Sequence, residues 1–64
     1  MSDGPRYTVI RQGEHVGILD RDRGKFAPFF ETGPTPVSQR VRRAVIALNV
    51  GEETPTGYAW EEAS

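Results

Sequence analysis

TPVSQRVRRAVIALNV, residues 35–50, is the stretch whose reading decides the fold. It is the longest segment that reads as one element, and the one able to close a core. Thr35 suits an N-cap and Pro36 the first helical position, where a missing N–H costs nothing. At about 100° per residue, Val37, Val41, Ala44, Val45 and Leu48 fall on one face, which is the stripe a core-facing helix needs. Asn49 and Gly51 are stop signals, because both tolerate the left-handed conformation that ends helices. Composition pulls the other way. Val37, Val41, Val45, Ile46 and Val50 are β-branched, and residues 44–50 taken alone read equally as a buried strand. The capping signals and the period together predict a helix over about 36–49.

The opposite face of that helix carries Gln39, Arg42, Arg43, Ile46 and Val50. A fully solvated face has no need of Ile46 beside Val50. Single exposed apolar residues are common on any surface. The alternative is a partner-facing strip, apolar at its centre and basic at its rim. Arg40 falls nearer the core boundary, where its stem packs and its head reaches water.

Upstream of the helix the sequence reads as strands. Residues 6–12 carry Tyr7, Val9 and Ile10, and 15–20 form the returning strand. Gly13-Glu14 between them fits a two-residue type II′ hairpin loop. That loop sets the register: Gln12 faces His15, Arg11 faces Val16, Ile10 faces Gly17, Val9 faces Ile18 and Tyr7 faces Asp20. One side of the hairpin then holds Tyr7, Val9, Val16 and Ile18, assigned to the core. The other side is mixed, and Gly17 opposite Ile10 leaves a shallow spot for another backbone or a ligand group. Residues 21–24, RDRG, form a turn with Gly24 in a left-handed bulge. KFAPFF (25–30) is a third strand, an edge strand or one that breaks at Pro28, which cannot donate to a ladder. Phe26 and Phe30 share one side and Phe29 takes the other, and the three rings are expected to supply much of the core.

Downstream of the helix, EETPTGYAWEEAS (52–64) is acidic. Pro55 and Gly57 argue against regular structure there. Tyr58 and Trp60 are two apart, so an extended chain points both the same way. The segment is either a disordered tail or one that docks its aromatics on the sheet or on a partner. The expected fold is therefore α+β, a three-stranded antiparallel meander packed by a single C-terminal helix (βββα). Residues 1–50 form one small domain, and 51–64 an acidic aromatic tail, partly docked or disordered.

Sixty-four residues allow one domain at most. A chain of this size buries only roughly 60% of its unfolded surface. It has no cysteine, so disulfides and thiolate metal sites cannot support it, and oligomerisation or docking is the remaining help. No apolar run approaches the ~20 residues of a membrane span. MSDGPRYT, with a loose polar start over residues 1–5, has neither the basic start nor the apolar core of a signal peptide. A cytoplasmic protein with no membrane association is expected. Net charge is −1, divided as +3 over residues 1–50 and −4 over 51–64.

Catalysis is not expected, and no catalytic residue is assigned. His15 is the lone histidine, beside a turn, and cannot build a structural zinc site without cysteine partners, so no metal or other cofactor is assigned. Asp20 and Asp22 flank a turn between Arg21 and Arg23 and read as turn formers and surface ion pairs. Ser2, Ser38 and Ser64 have no adjacent base. What remains is binding. The primary expectation is an accessory, inhibitory or regulatory subunit that binds another protein or its own copy through Arg42, Arg43 and Ile46, with Tyr58 and Trp60. A weak DNA-binding accessory role through Arg11, Arg21, Arg23 and Lys25 is the alternative, limited by a pI near 5.7. A self-assembling structural protein is the third reading.

Overall fold

Residues 4–63 are described in a computed structural model. Residues 1–3 and Ser64 lie outside the described residues, so the loose start is placed only from Gly4 onward. Strands β1 (Tyr7–Gln12), β2 (His15–Asp20) and β3 (Lys25–Pro28) precede helix α1 (Val37–Val50). A 3-10 turn (Pro55–Gly57) and a two-residue strand β4 (Glu61–Glu62) follow. The sheet is antiparallel in the order β1-β2-β3-β4, so the architecture is α+β with four strands where the sequence suggested three.

The β1–β2 register is the one a two-residue loop dictates: Tyr7 opposes Asp20, Val9 opposes Ile18, and Gln12 opposes His15. Gly13 has φ 61° and Glu14 keeps a negative φ, as a type II′ loop requires. β3 ends at Pro28, where the ladder loses its donor.

Helix α1 starts one residue later than its capping signal suggested. Pro36, not Thr35, is the N-cap, at φ −57° and ψ 142°, and no side chain caps the first turn. Proline's fixed φ suits an extended residue as well as a helical one, and here ψ falls on the extended side. The Pro36 carbonyl accepts from the N–H groups of Gln39 (3.1 Å) and Arg40 (3.2 Å). Residues 44–50 are helical despite their valines. Gly51 ends the helix at φ 85°, and the Glu52 N–H closes back on the Ala47 carbonyl at 2.8 Å, a Schellman-type ending.

The core lies between α1 and one face of the sheet. Tyr7, Ile18, Ala27, Val41, Ala44, Val45 and Leu48 are buried there, with Val16, Phe29, Val37, Tyr58 and Trp60 packed around them. Two sequence expectations need correction. Val9 sits on the helix-facing side of β1 yet is 44% exposed, because β1 is the sheet edge and no strand flanks it on its outer side among the described residues. The three phenylalanines do not share one core. Phe29 joins the helix-side cluster, Phe26 is buried on the other face, and Phe30 is exposed, edge-on to His15 at 5.0 Å between ring centroids.

Gly17 shows why Phe26 can be buried away from the helix. A Cβ at position 17 would meet the Ala27 carbonyl oxygen at 2.1 Å and the Phe26 ring at 2.9 Å. The shallow spot expected at Gly17 exists, and backbone and ring of the same chain already fill it.

Candidate protein-binding surface

Asp20 is a structural group. It is 1% exposed, directly opposite Tyr7 on the core side of the sheet, which corrects its reading as a surface ion-pair residue. Burial of a carboxylate requires partners, and Asp20 accepts four hydrogen bonds from three residues. Arg6 donates through Nε (2.9 Å) and Nη2 (3.1 Å), and the N–H groups of Asp22 (3.1 Å) and Arg23 (3.3 Å) close the turn on Oδ1. Burial alone pushes the Asp20 carboxyl up. The Arg6 hydrogen bonds and charge, with the two backbone donors, outweigh it and hold the pKa below the usual carboxylate value. Asp22, by contrast, is exposed on the turn.

The acidic C-terminal segment lies on the body. Tyr58 and Trp60 point the same way, as an extended chain demands, and that way is inward. The Tyr58 ring stacks on Phe29 at 6.0 Å and meets Trp60 at 5.9 Å. Trp60 lies 6.2 Å from Tyr7 and donates from Nε1 to the Pro55 carbonyl at 2.6 Å. The Tyr58 hydroxyl donates to Glu53; burial, together with that carboxylate, pushes the phenol up to about 12. β4 is held by Lys25 to Glu62 at 2.6 Å and by the Ala63 N–H on the Gly24 carbonyl at 3.2 Å.

The sheet and turn basic residues do not converge. Arg11 lies near the β1–β2 loop, whereas Arg21, Arg23 and Lys25 surround the loop at the other end of the hairpin, roughly 17–20 Å away along a six-residue strand. Lys25 is paired with Glu62, and Arg21 donates to the Pro5 carbonyl at 3.2 Å.

The outer face of α1 is different. Arg42, Ile46 and Val50 stand one turn apart in a column, with Arg43 beside it, and all four are exposed. Ile46 is 59% and Val50 63% exposed, the two most exposed large apolar side chains among the described residues. Neither arginine has an ion-pair partner among the described residues. Arg40, one position round the helix, is engaged: Nη1 donates to the Phe30 carbonyl at 2.7 Å, and the guanidinium lies 5.5 Å from the Phe29 ring centre. The helix thus separates arginines that brace the fold from arginines that face solvent.

One further group went unread in the sequence. The Asn49 side chain leaves the helix and docks on the outer edge of β1. Its Oδ1 accepts from the Tyr7 N–H at 3.0 Å and its Nδ2 donates to the Tyr7 carbonyl at 2.9 Å. The carboxamide takes the place that the next strand's peptide group would occupy. No composition or spacing signal announces this contact, since Asn49 also reads as a helix stop. Among the described residues no cluster of His, Asp or Glu could hold a metal ion, and no helix is long and apolar enough to cross a membrane.

Comparison with family models, curated proteins and solved structures finds no match for this chain.

Proposed function

We propose that this chain is a non-catalytic protein-binding module, an accessory or regulatory subunit that presents the outer face of α1 to its partner. The observation that carries the reading is the exposure of Ile46 and Val50 on a helix whose inner face already closes the core. Apolar side chains rimmed by unpaired arginines are what interface centres and rims are made of. Arg42 and Arg43 favour a partner surface of negative charge, and the partner is another protein or a second copy of the chain. Tyr58 and Trp60 contribute by holding the C-terminal segment in place more than by direct contact, since their rings pack inward. We take the site of action to be the cytoplasm, in keeping with a cysteine-free composition.

A photo-crosslinking side chain placed at position 46, compared with one at the exposed Arg23 position, tests the proposal. Crosslinks concentrated at position 46, suppressed by excess unlabelled wild-type chain but not by an Ile46→Asp competitor that keeps its circular dichroism, are expected. Equal crosslinking from both positions would remove the helix face as the binding surface.

A further inference from the structure

The docking of Asn49 on Tyr7 shows which backbone groups of β1 point out of the sheet. Tyr7 presents both its N–H and its carbonyl to the outer edge. Along a strand these directions alternate, so Val9 and Arg11 present theirs to the same edge, while Thr8, Ile10 and Gln12 pair with β2. Among the described residues no strand lies beyond β1. The open edge is short and bounded. At one end the Asn49 carboxamide closes Tyr7, and at the other the chain turns away at Gly13. Between them lie two residues with outward donors and acceptors, and Val9 adds a side chain that is 44% exposed.

Two arginines flank the open edge. Arg11 shares the helix side of β1 with Val9 by alternation. Helix α1 runs along β1 from the Arg11 end, where Val37 and Arg11 line one cleft, to the Tyr7 end, where Asn49 docks. Arg42 stands two helical turns before Asn49 on the same side of the helix, which puts it over the middle of the open edge. Neither Arg11 nor Arg42 has an ion-pair partner among the described residues, although Glu14 and Glu31 line the cleft at the Arg11 end. An edge strand with open backbone groups is a template for strand addition. Native edges of this kind are protected by charge; here the unpaired charges on the helix side are Arg11 and Arg42, with Glu14 and Glu31 confined to the cleft at the Gly13 end.

We infer that the β1 edge between Asn49 and Gly13 is a strand-addition site for an extended acidic segment of a partner protein. The segment pairs its backbone with Val9 and Arg11, turns its carboxylates toward Arg11 and Arg42, and lays its alternate apolar residues beside Ile10. This rests on the protein-binding reading above and names the chemistry of the partner. A second copy of the chain fits less well, because a two-fold through the middle of β1 would bring Arg42 close to its own counterpart.

A blocked peptide of alternating Glu and Val is the probe, titrated into the isotopically labelled protein and followed by amide resonances and amide exchange. The expected result is protection of the Val9 and Arg11 amides, with Thr8 and Ile10 already protected in the β1–β2 ladder. Binding should weaken about tenfold in the Arg11→Ala/Arg42→Ala double variant, and more than tenfold when Lys replaces Glu in the peptide. Val9→Pro removes one outward donor without touching the β2 ladder and should abolish binding. A backbone N-methylated peptide makes the same test if that variant fails to fold. Equal binding of the lysine peptide, or no binding of either peptide, overturns the inference. Peptide binding that is lost in Ile46→Asp but leaves the Val9 and Arg11 amides unprotected also overturns it, while leaving the helix-face reading in place. Protection of those amides without peptide, rising with protein concentration, would assign the edge to a second copy and overturn the acidic occupant.

Discussion

The Asn49 carboxamide pairs with both backbone groups of Tyr7, at 3.0 Å and 2.9 Å, so a helix side chain serves as one residue's worth of strand. This contact does two things. It ties the last turn of α1 to the outer edge of the sheet. It also leaves a short open segment of β1 whose length is set by the fold.

Asn49→Ala removes both hydrogen bonds and exposes the Tyr7 amide. Each typical hydrogen bond contributes about 0.5–1.5 kcal/mol net, so a loss of about 1–2 kcal/mol is expected in denaturant unfolding. Faster exchange at the Tyr7 amide distinguishes loss of this contact from a general helix effect. A variant with wild-type stability and unchanged Tyr7 exchange would show that the contact carries no energy.

Gly17→Ala should be among the most damaging single-methyl additions in the chain. Its Cβ falls 2.1 Å from the Ala27 carbonyl oxygen, a backbone atom that cannot step aside without breaking the β2–β3 ladder. Overpacking of a close site costs about 1–3 kcal/mol, and a clash with backbone belongs at or above the top of that range. Gly24→Ala is a useful comparison. Nothing lies within 4 Å of its Cβ, and its penalty comes only from φ 67°.

Acid should weaken the fold through Asp20. Its folded-state pKa lies below the ordinary carboxylate value, held there by Arg6 and the turn N–H groups against the opposing effect of burial. A depressed carboxyl binds more protons unfolded than folded. Its contribution is therefore fully present above the unfolded pKa of about 3.9, and is lost as pH falls through the folded value. Asp20→Asn should flatten the acid limb of a stability–pH curve and lower stability at neutral pH by about 2 kcal/mol, through loss of charge-assisted bonds. An unchanged acid limb would place the acid sensitivity elsewhere.

The C-terminal segment is part of the fold through Trp60. Trp60→Ala removes the ring next to Tyr7 and Tyr58, and core truncations of this size cost about 3–5 kcal/mol. Because Trp60 is only partly buried, the lower half of that range is expected. Its fluorescence should shift to the red on unfolding in step with the loss of circular dichroism. A red-shifted native spectrum would mean the ring is already in water.

Much of this architecture could be read from residue order because local chemistry was unambiguous in places. Gly13-Glu14 leaves one loop length, and the whole β1–β2 register follows from it. The apolar period of α1 picked out Val41, Ala44, Val45 and Leu48, all buried, and by the same period the exposed column of Arg42, Ile46 and Val50. Pro28 marked the end of β3. Other features depend on geometry that no local rule supplies. Val9 has the right parity for the core but lies on the edge strand, open on its outer side. Asp20 was within reach, since the register already placed it opposite Tyr7, yet its charge suggested the surface. β4 consists of two glutamates with little β propensity, and it pairs because Lys25 and the Gly24 carbonyl are waiting for it. Spacing put Tyr58 and Trp60 on one side without saying which, and the Asn49 contact spans 42 positions in sequence.

The most direct test of the helix-face proposal is Ile46→Asp, measured twice on the same preparation, for unfolding free energy and for association with the captured partner or with itself. Ile46 closes no part of the core, so its stability should change by no more than about 0.5 kcal/mol. Unchanged stability together with loss of association is the expected result. Full association by a stably folded Ile46→Asp protein would contradict the proposal.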